Sequence, residues 1–184
     1  MRAVLQRVKS ASVTVDGKLI SEIGKGLLVL AAISRDDTER DIEAMAQKIL
    51  KAKLWDDASK EPPVRWKLGI KDIGGEVLCV SQFTLHASLK KGAKPDFHQS
   101  ANGLKAKTLY EMFFNRVQAL YSSERVKDGM FAAMMDVQLI NDGPVTIQID
   151  TDPPKLQDPT SLGTPSASID NMTKISKESA EPLE

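Results

Sequence analysis

Two short runs carry the residues of this chain best suited to chemistry: Ser81-Gln82-Phe83-Thr84-Leu85 and, about sixty positions later, Asn141-Asp142-Gly143-Pro144-Val145-Thr146. The first places two hydroxyls, a primary amide and an aromatic ring at the end of an apolar stretch, a mixture that can hold a small polar substrate. The second joins Gly143, which has no Cβ, to Pro144, whose nitrogen carries no proton. Backbone can approach a ligand closely there and leave its carbonyl oxygens unpaired. An X-Pro bond also opens the cis form that other peptides hardly reach. Each run has an ordinary explanation too. Ser81–Leu85 fits the polar end of a core strand with Phe83 and Leu85 packed, and Asn-Asp-Gly-Pro is the composition of a β-turn between two strands.

If the first run stays extended, alternation puts Gln82, Thr84 and His86 on one face and Ser81, Phe83 and Leu85 on the other. A hydroxyl would then neighbour an imidazole, but no carboxylate is placed by sequence to orient the ring, so the pair makes a poor triad. His98, in Lys94-Pro95-Asp96-Phe97-His98, reads as a loop residue. With two histidines and one cysteine in the chain, no metal site and no cofactor are expected. Cys79, between Leu78 and Val80, reads as a small core residue. Lys90, Lys91 and Lys94, with Lys105 and Lys107 beyond, make a basic segment bordering the first run. Gly92 and Pro95 mark it as a loop, either solvated or placed to meet a phosphate backbone whose linked end group enters the pocket.

The elements that must position these groups follow from periodicity. Ala3–Val8 and Ala11–Val15 read as strands, and Asp16-Gly17 predicts a tight hairpin into Leu19–Ile23. Leu27–Ile33 is an unbroken apolar run, the mark of a strand buried on both faces. Ile42, Met45, Ala46, Ile49 and Leu50 fall on one helical face, with Thr38 and Asp41 spaced as a capping box. Residues 64–75 read as loop after Pro62-Pro63, and Glu76–Leu85 as a second buried strand. Leu109, Phe113, Val117 and Leu120 predict a second helix, and Met134–Ile140 and Val145–Ile149 predict two more strands. The fold class is α+β: a single domain of mostly antiparallel sheet, barrel-like or layered, with two main helices.

Composition bounds the rest. Residues 1–150 carry a net charge of +3, too little for a basic footprint that announces nucleic acid by itself, and residues 151–184 carry −3. That tail is rich in Pro, Ser and Thr and poor in large apolar residues, so it is expected to be disordered or surface-laid beside a 1–150 domain. One cysteine excludes an intrachain disulfide and suits a reducing compartment. No apolar stretch is long enough for a membrane span, and a soluble cytoplasmic protein is expected.

Both runs, complete and at this separation, resemble the D-aminoacyl-tRNA deacylase family. The resemblance extends from Met1-Arg2-Ala3-Val4-Leu5-Gln6-Arg7-Val8 through Gly24–Leu30 and Asp72-Ile73-Gly74-Gly75-Glu76 to Asp150. It implies a homodimer with active sites at the subunit interface, where a cis Gly143-Pro144 peptide from one subunit reaches into the other's pocket. Its carbonyls would receive the substrate's α-amino group. Chiral selection would then rest on Gly143, Pro144, Phe131 and Leu85, an L side chain pointing into backbone and a D side chain into open space. Glycyl-tRNA mischarged on tRNA(Ala) falls within the implied substrates. Ser81, Gln82, Phe83 and Thr84 are the implied catalytic residues, with backbone N–H groups around Phe83 and Thr84 stabilising the oxyanion as the ester is hydrolysed. The 2′-hydroxyl of the terminal adenosine is implied to assist. Two departures stand out: Ala132 where the family commonly has Gly in Phe-Gly-Ala, and His86 where an aromatic is common. The competing readings are an editing sibling that acts on a small L-aminoacyl-tRNA and a nucleic-acid-binding module without chemistry.

Overall fold

The computed structural model describes residues 1–90 and 92–152. The expected tail lies, from residue 153 on, outside the described residues, and so does Lys91. β1 (Arg2–Val15) and β2 (Lys18–Ile23) form the predicted hairpin, its two turn residues Asp16 and Gly17 at φ 48° and 74°. β3 (Gly26–Ala32) continues along the same edge of β1, which pairs with β2 through Ala11–Val15 and with β3 through Arg2–Val8. At the start of β3 only glycine fits, because a Cβ on Gly26 would lie 1.8 Å from the Glu76 carbonyl oxygen.

β3 and β6 (Glu76–Ser81) run parallel, as do β6 and β7 (Val126–Asp128). Each parallel step needs a long crossover, and each crossover carries a helix: α1 (Glu39–Lys51), then α2 (Gly103–Leu120). The capping box forms at α1, where the Thr38 N–H and hydroxyl both donate to Asp41 Oδ2 at 2.9 Å, and all five apolar residues of its predicted face are buried. Alternation along the central strands feeds two apolar clusters. Leu27, Val29, Val77 and Cys79 meet both helices, whereas Leu28, Leu78 and Val80 join Val8, Val13 and Ile23 on the opposite face, where the sheet folds over on itself. The Ser21 hydroxyl donates to the Asp128 carbonyl at 2.6 Å and draws the β2 edge to the β7 edge, so that the six-stranded sheet nearly closes into a barrel.

Two expectations need correction. Residues 64–75 are not all loop: β4 (Lys53–Asp57) and β5 (Val64–Gly69) pair antiparallel. Val64-Arg65-Trp66-Lys67-Leu68 does alternate apolar and polar residues, but Pro62-Pro63 before it and Gly74-Gly75 after it mark a loop. Val64 to Lys67 are exposed, so the alternation serves backbone pairing with β4 and buries no face of its own. The second correction is larger. Residues 136–150 form one strand, β8 (Asp136–Asp150), antiparallel to nearly the whole of β1. Asn141-Asp142-Gly143-Pro144 is therefore not a turn between two strands but the site of a bulge within one.

Candidate functional site

In the bulge, Val145 pairs with Arg7 and Asn141 with the next β1 residue, Val8, so Asp142, Gly143 and Pro144 have no partner in the ladder. Three extra residues reverse the strand's parity. Val145, Ile147 and Ile149 pack toward the helices, whereas Val137 and Leu139, equally odd in number, pack into the second cluster. The Gly143-Pro144 peptide is cis, Gly143 has φ 122°, and both residues are exposed. Arg7 holds the loop from beneath: its Nε donates to the Asp142 carbonyl at 3.1 Å and lies 3.2 Å from Asp142 Oδ2, while Nη1 donates to the Leu54 carbonyl at 2.6 Å. Arg7 was not singled out in the sequence, although an arginine inside an apolar strand is a signal that could have found it.

The first run borders a cavity of about 700 Å³ at the ends of β3 and β6, closed by α2 and by the segment after β7. Ser81 ends β6, and the Gln82 N–H donates to the Ala31 carbonyl at 2.8 Å. The chain then turns into a short 3₁₀ helix, Phe83–His86, which overturns the expected alternation of an extended strand. The Gln82 side-chain amide donates to the Thr84 hydroxyl. His86 Nε2 lies instead 3.4 Å from the Ala32 carbonyl, and no hydrogen bond joins it to Thr84 among the described residues. Burial, reinforced by the positive charge of Arg2 and opposed by the Ala32 carbonyl, holds its pKa below the ordinary value, so the imidazole is neutral at neutral pH.

Ser81, Gln82, Phe83, Thr84 and Phe131 all line the cavity; Leu85 does not, its carbonyl being held by Arg2 Nη1 at 3.0 Å. Contrary to the packed-strand reading, Phe83 is 56% exposed. Among the described residues, neither the Phe83 N–H nor the Thr84 N–H has an acceptor. Ala132, also on the cavity wall, adopts φ 60°, the conformation that the glycine expected there would take without strain. Tyr110 was not picked out either. It lines the cavity, lies 5.6 Å from the Phe131 ring, and donates to Asp128 Oδ1 at 2.5 Å. Burial raises the pKa of both partners of that bond.

The structure does not bring the two runs together within one chain. By register the bulge is level with Arg7, Leu27 and Val77, whereas Ser81 lies four residues further along β6 and three strands across. Strand spacings make that roughly 20 Å. Lys90 and Lys94 are exposed on the loop beyond the 3₁₀ helix. Among the described residues there is no group of three or more His, Cys, Asp or Glu placed to hold a metal ion, and no helix long and apolar enough to cross a membrane.

A two-helix, nearly closed barrel with a part-polar cavity at its strand ends, and a Gly-Pro bulge standing out from the opposite end of the sheet, defines a single-domain α+β class. The chain belongs to the D-Tyr-tRNA(Tyr) deacylase family, whose model matches residues 4–150. It is 57% identical to a D-aminoacyl-tRNA deacylase of Yarrowia lipolytica over 152 residues, 82% of this chain and 97% of that protein. It is 47% identical to the D-aminoacyl-tRNA deacylase of Saccharomyces cerevisiae, over 83% of this chain and 99% of that one. The solved structure of a c-Myc DNA Unwinding Element Binding Protein superposes with a TM-score of 0.78 at 44% identity, covering 83% of this chain and all of that one.

Proposed function

We infer that this protein hydrolyses the ester of D-aminoacyl-tRNA, releasing the D-amino acid and free tRNA as a proofreading step of translation in the cytoplasm. The observation that carries this is family membership over residues 4–150 with both motif runs intact. Water adds to the ester carbonyl, the bond from acyl carbon to ribose oxygen breaks, and the departing ribose oxygen takes a proton from that water to become a hydroxyl. The negative charge that develops on the carbonyl oxygen would be met by the Phe83 and Thr84 N–H groups, supported by their lack of any other acceptor. Ser81 and Gln82 shape the same wall. The Thr84 hydroxyl accepts from Gln82 and has no basic partner among the described residues, which argues for a positioning role over a nucleophilic one.

The protein would act as a homodimer. The exposure of Gly143-Pro144 and its distance from the cavity support a site composed of the first run of one subunit and the bulge of the other, whose carbonyls accept the α-amino group. Phe131 and that bulge would then bound the space open to a D side chain and closed to an L one, while Leu85 would act from behind the wall. Glycine esters, having no side chain to reject, would also be cleaved. Lys90 and Lys94, with Lys91, would meet tRNA phosphates.

Matched D- and L-tyrosyl-tRNA incubated with the protein, with and without chelator, test the activity. Loss of the D-ester alone, unaffected by chelator, is expected; equal rates refute the chiral assignment. Salt-dependent RNA binding without ester loss would leave only a binding module. Mixed dimers test the shared site. Phe83→Pro, which removes one donor and the ring, and Gly143→Ala should each be nearly inactive. Dissociated and reassociated together, they should regain about a quarter of wild-type activity, since half the dimers are mixed and each holds one intact site. Complete sites within single subunits would regain none.

A further inference from the structure

The segment from Ser88 to Ala101 is more than a basic loop. Ser88 and Asp96 exchange backbone hydrogen bonds at 2.8 and 2.9 Å, which closes the loop at its base. Beyond it, the Arg35 N–H donates to the Gln99 carbonyl at 2.9 Å and the Ala101 N–H to the Ile33 carbonyl at 3.0 Å, which pins 99–101 alongside the chain leaving β3. Two side chains of this anchored stretch touch the first run at a single residue. The Phe97 ring stands edge-on to Phe83 with centroids 5.1 Å apart, and the Ser100 hydroxyl donates to the Phe83 carbonyl at 3.1 Å.

That carbonyl belongs to the same planar peptide unit as the Thr84 N–H, and in a trans peptide the two point in opposite directions. A donor that grips the oxygen therefore fixes the heading of the N–H. We propose that Phe97 and Ser100 are positioning residues that hold the Phe83–Thr84 peptide with its N–H turned toward the reacting carbonyl. This rests on the hydrolase reading above. Without Ser100 the Phe83 carbonyl keeps only the backbone bond of the 3₁₀ turn and the heading of the peptide is set less tightly, and without Phe97 the Phe83 ring loses its edge contact. Neither residue needs to touch the substrate, so the effect falls on the chemical step and not on binding.

The test uses Ser100→Ala, Phe97→Leu and the conservative Ser100→Thr. Under single turnover with D-tyrosyl-tRNA, Ser100→Ala should lower the rate constant about fivefold, the yield of one ordinary hydrogen bond. Phe97→Leu should likewise lower it about fivefold, Ser100→Thr should restore the rate, and Kd should stay within about twofold throughout. A second readout needs no catalysis: the Thr84 amide resonance in a ¹H–¹⁵N spectrum should shift or broaden in Ser100→Ala and return in Ser100→Thr. Wild-type rates in both variants, losses that appear in Kd instead, or an unmoved Thr84 resonance would overturn the proposal. If the wild-type protein cleaves no D-ester, the hydrolase reading fails while the amide resonance still decides whether these two residues set the peptide.

Discussion

Replacing Gly143 by alanine isolates the role of the bulge. At φ 122° an L residue sits in sparsely populated backbone territory, at a cost of about 1–3 kcal/mol. The new methyl would also lie 2.9 Å from Val145 Cγ2 and 3.0 Å from the Val145 nitrogen. The valine side chain can turn away; the backbone nitrogen cannot. An exposed bulge has a cheaper course, which is to move, losing the 3.1 Å bond from Arg7 to the Asp142 carbonyl and weakening the 3.2 Å ion pair beside it. That costs roughly 1 kcal/mol, so the melting temperature should fall by only about 3–5 °C. The carbonyls proposed to receive the substrate's amino group would move with the loop, however, and a misplacement of about 1 Å costs about 100-fold. Single-turnover deacylation of D-tyrosyl-tRNA should therefore drop about 100-fold in a protein that remains folded. Thr84→Ala, which spares every backbone donor, should stay within about tenfold of wild type. A dead Thr84→Ala beside an active Gly143→Ala would refute this reasoning and restore the threonine as a nucleophile.

Gly26→Ala should be far more damaging to stability, because its methyl would meet the Glu76 backbone at 1.8 Å where β3 joins β6; we expect a loss above about 3 kcal/mol in urea unfolding, and a near-wild-type midpoint would contradict it. The lowered pKa of His86 makes the unfolded chain the better proton acceptor between that value and the ordinary 6.5, so stability is full above pH 6.5 and declines as pH falls through the lowered pKa. His86→Gln should flatten that limb of the stability curve, and identical slopes in the two proteins would rule the histidine out. A chain ending at Asp152 should fold and deacylate like the full chain, since β8 ends at Asp150 and Thr151 still donates its N–H to the Met1 carbonyl at 2.9 Å; aggregation or inactivity of the shortened protein would show that the remainder contributes.

What the sequence disclosed depended on how each element is held. α1 was legible because its burial is periodic and its cap is local, and β3 because burial on both faces leaves an unbroken apolar run. β5 was not, since its short alternation from Val64 to Leu68 is mostly exposed and sits between Pro62-Pro63 and Gly74-Gly75, which read as loop. β8 failed in a more instructive way. Apart from the exposed Ile140, its aliphatic residues Val137, Leu139, Val145, Ile147 and Ile149 are odd-numbered on both sides of the bulge, which suggests one face, yet the three unpaired residues send the two halves to different clusters. A composition that favours turns was also present, so the ordinary turn explained the residues without explaining their geometry.

The same limit applied to the candidate site. Residue types marked both runs, but hydrogen-bonding directions are not written in types. The extended reading paired Thr84 with His86, whereas the 3₁₀ turn gives the threonine to Gln82 and the histidine to Ala32. Once the turn forms, the Phe83 and Thr84 N–H groups are left without acceptors among the described residues while the Thr84 hydroxyl is engaged by Gln82, which shifts the proposed catalytic role from Thr84 Oγ1 to the peptide that Phe97 and Ser100 contact. Register then separates that peptide from Gly143-Pro144 by most of the width of the sheet. If both runs serve one small ester, as proposed, a separation of roughly 20 Å lets them do so only from different chains, and so the mixed-dimer experiment bears on the proposed mechanism as directly as any substitution within one subunit.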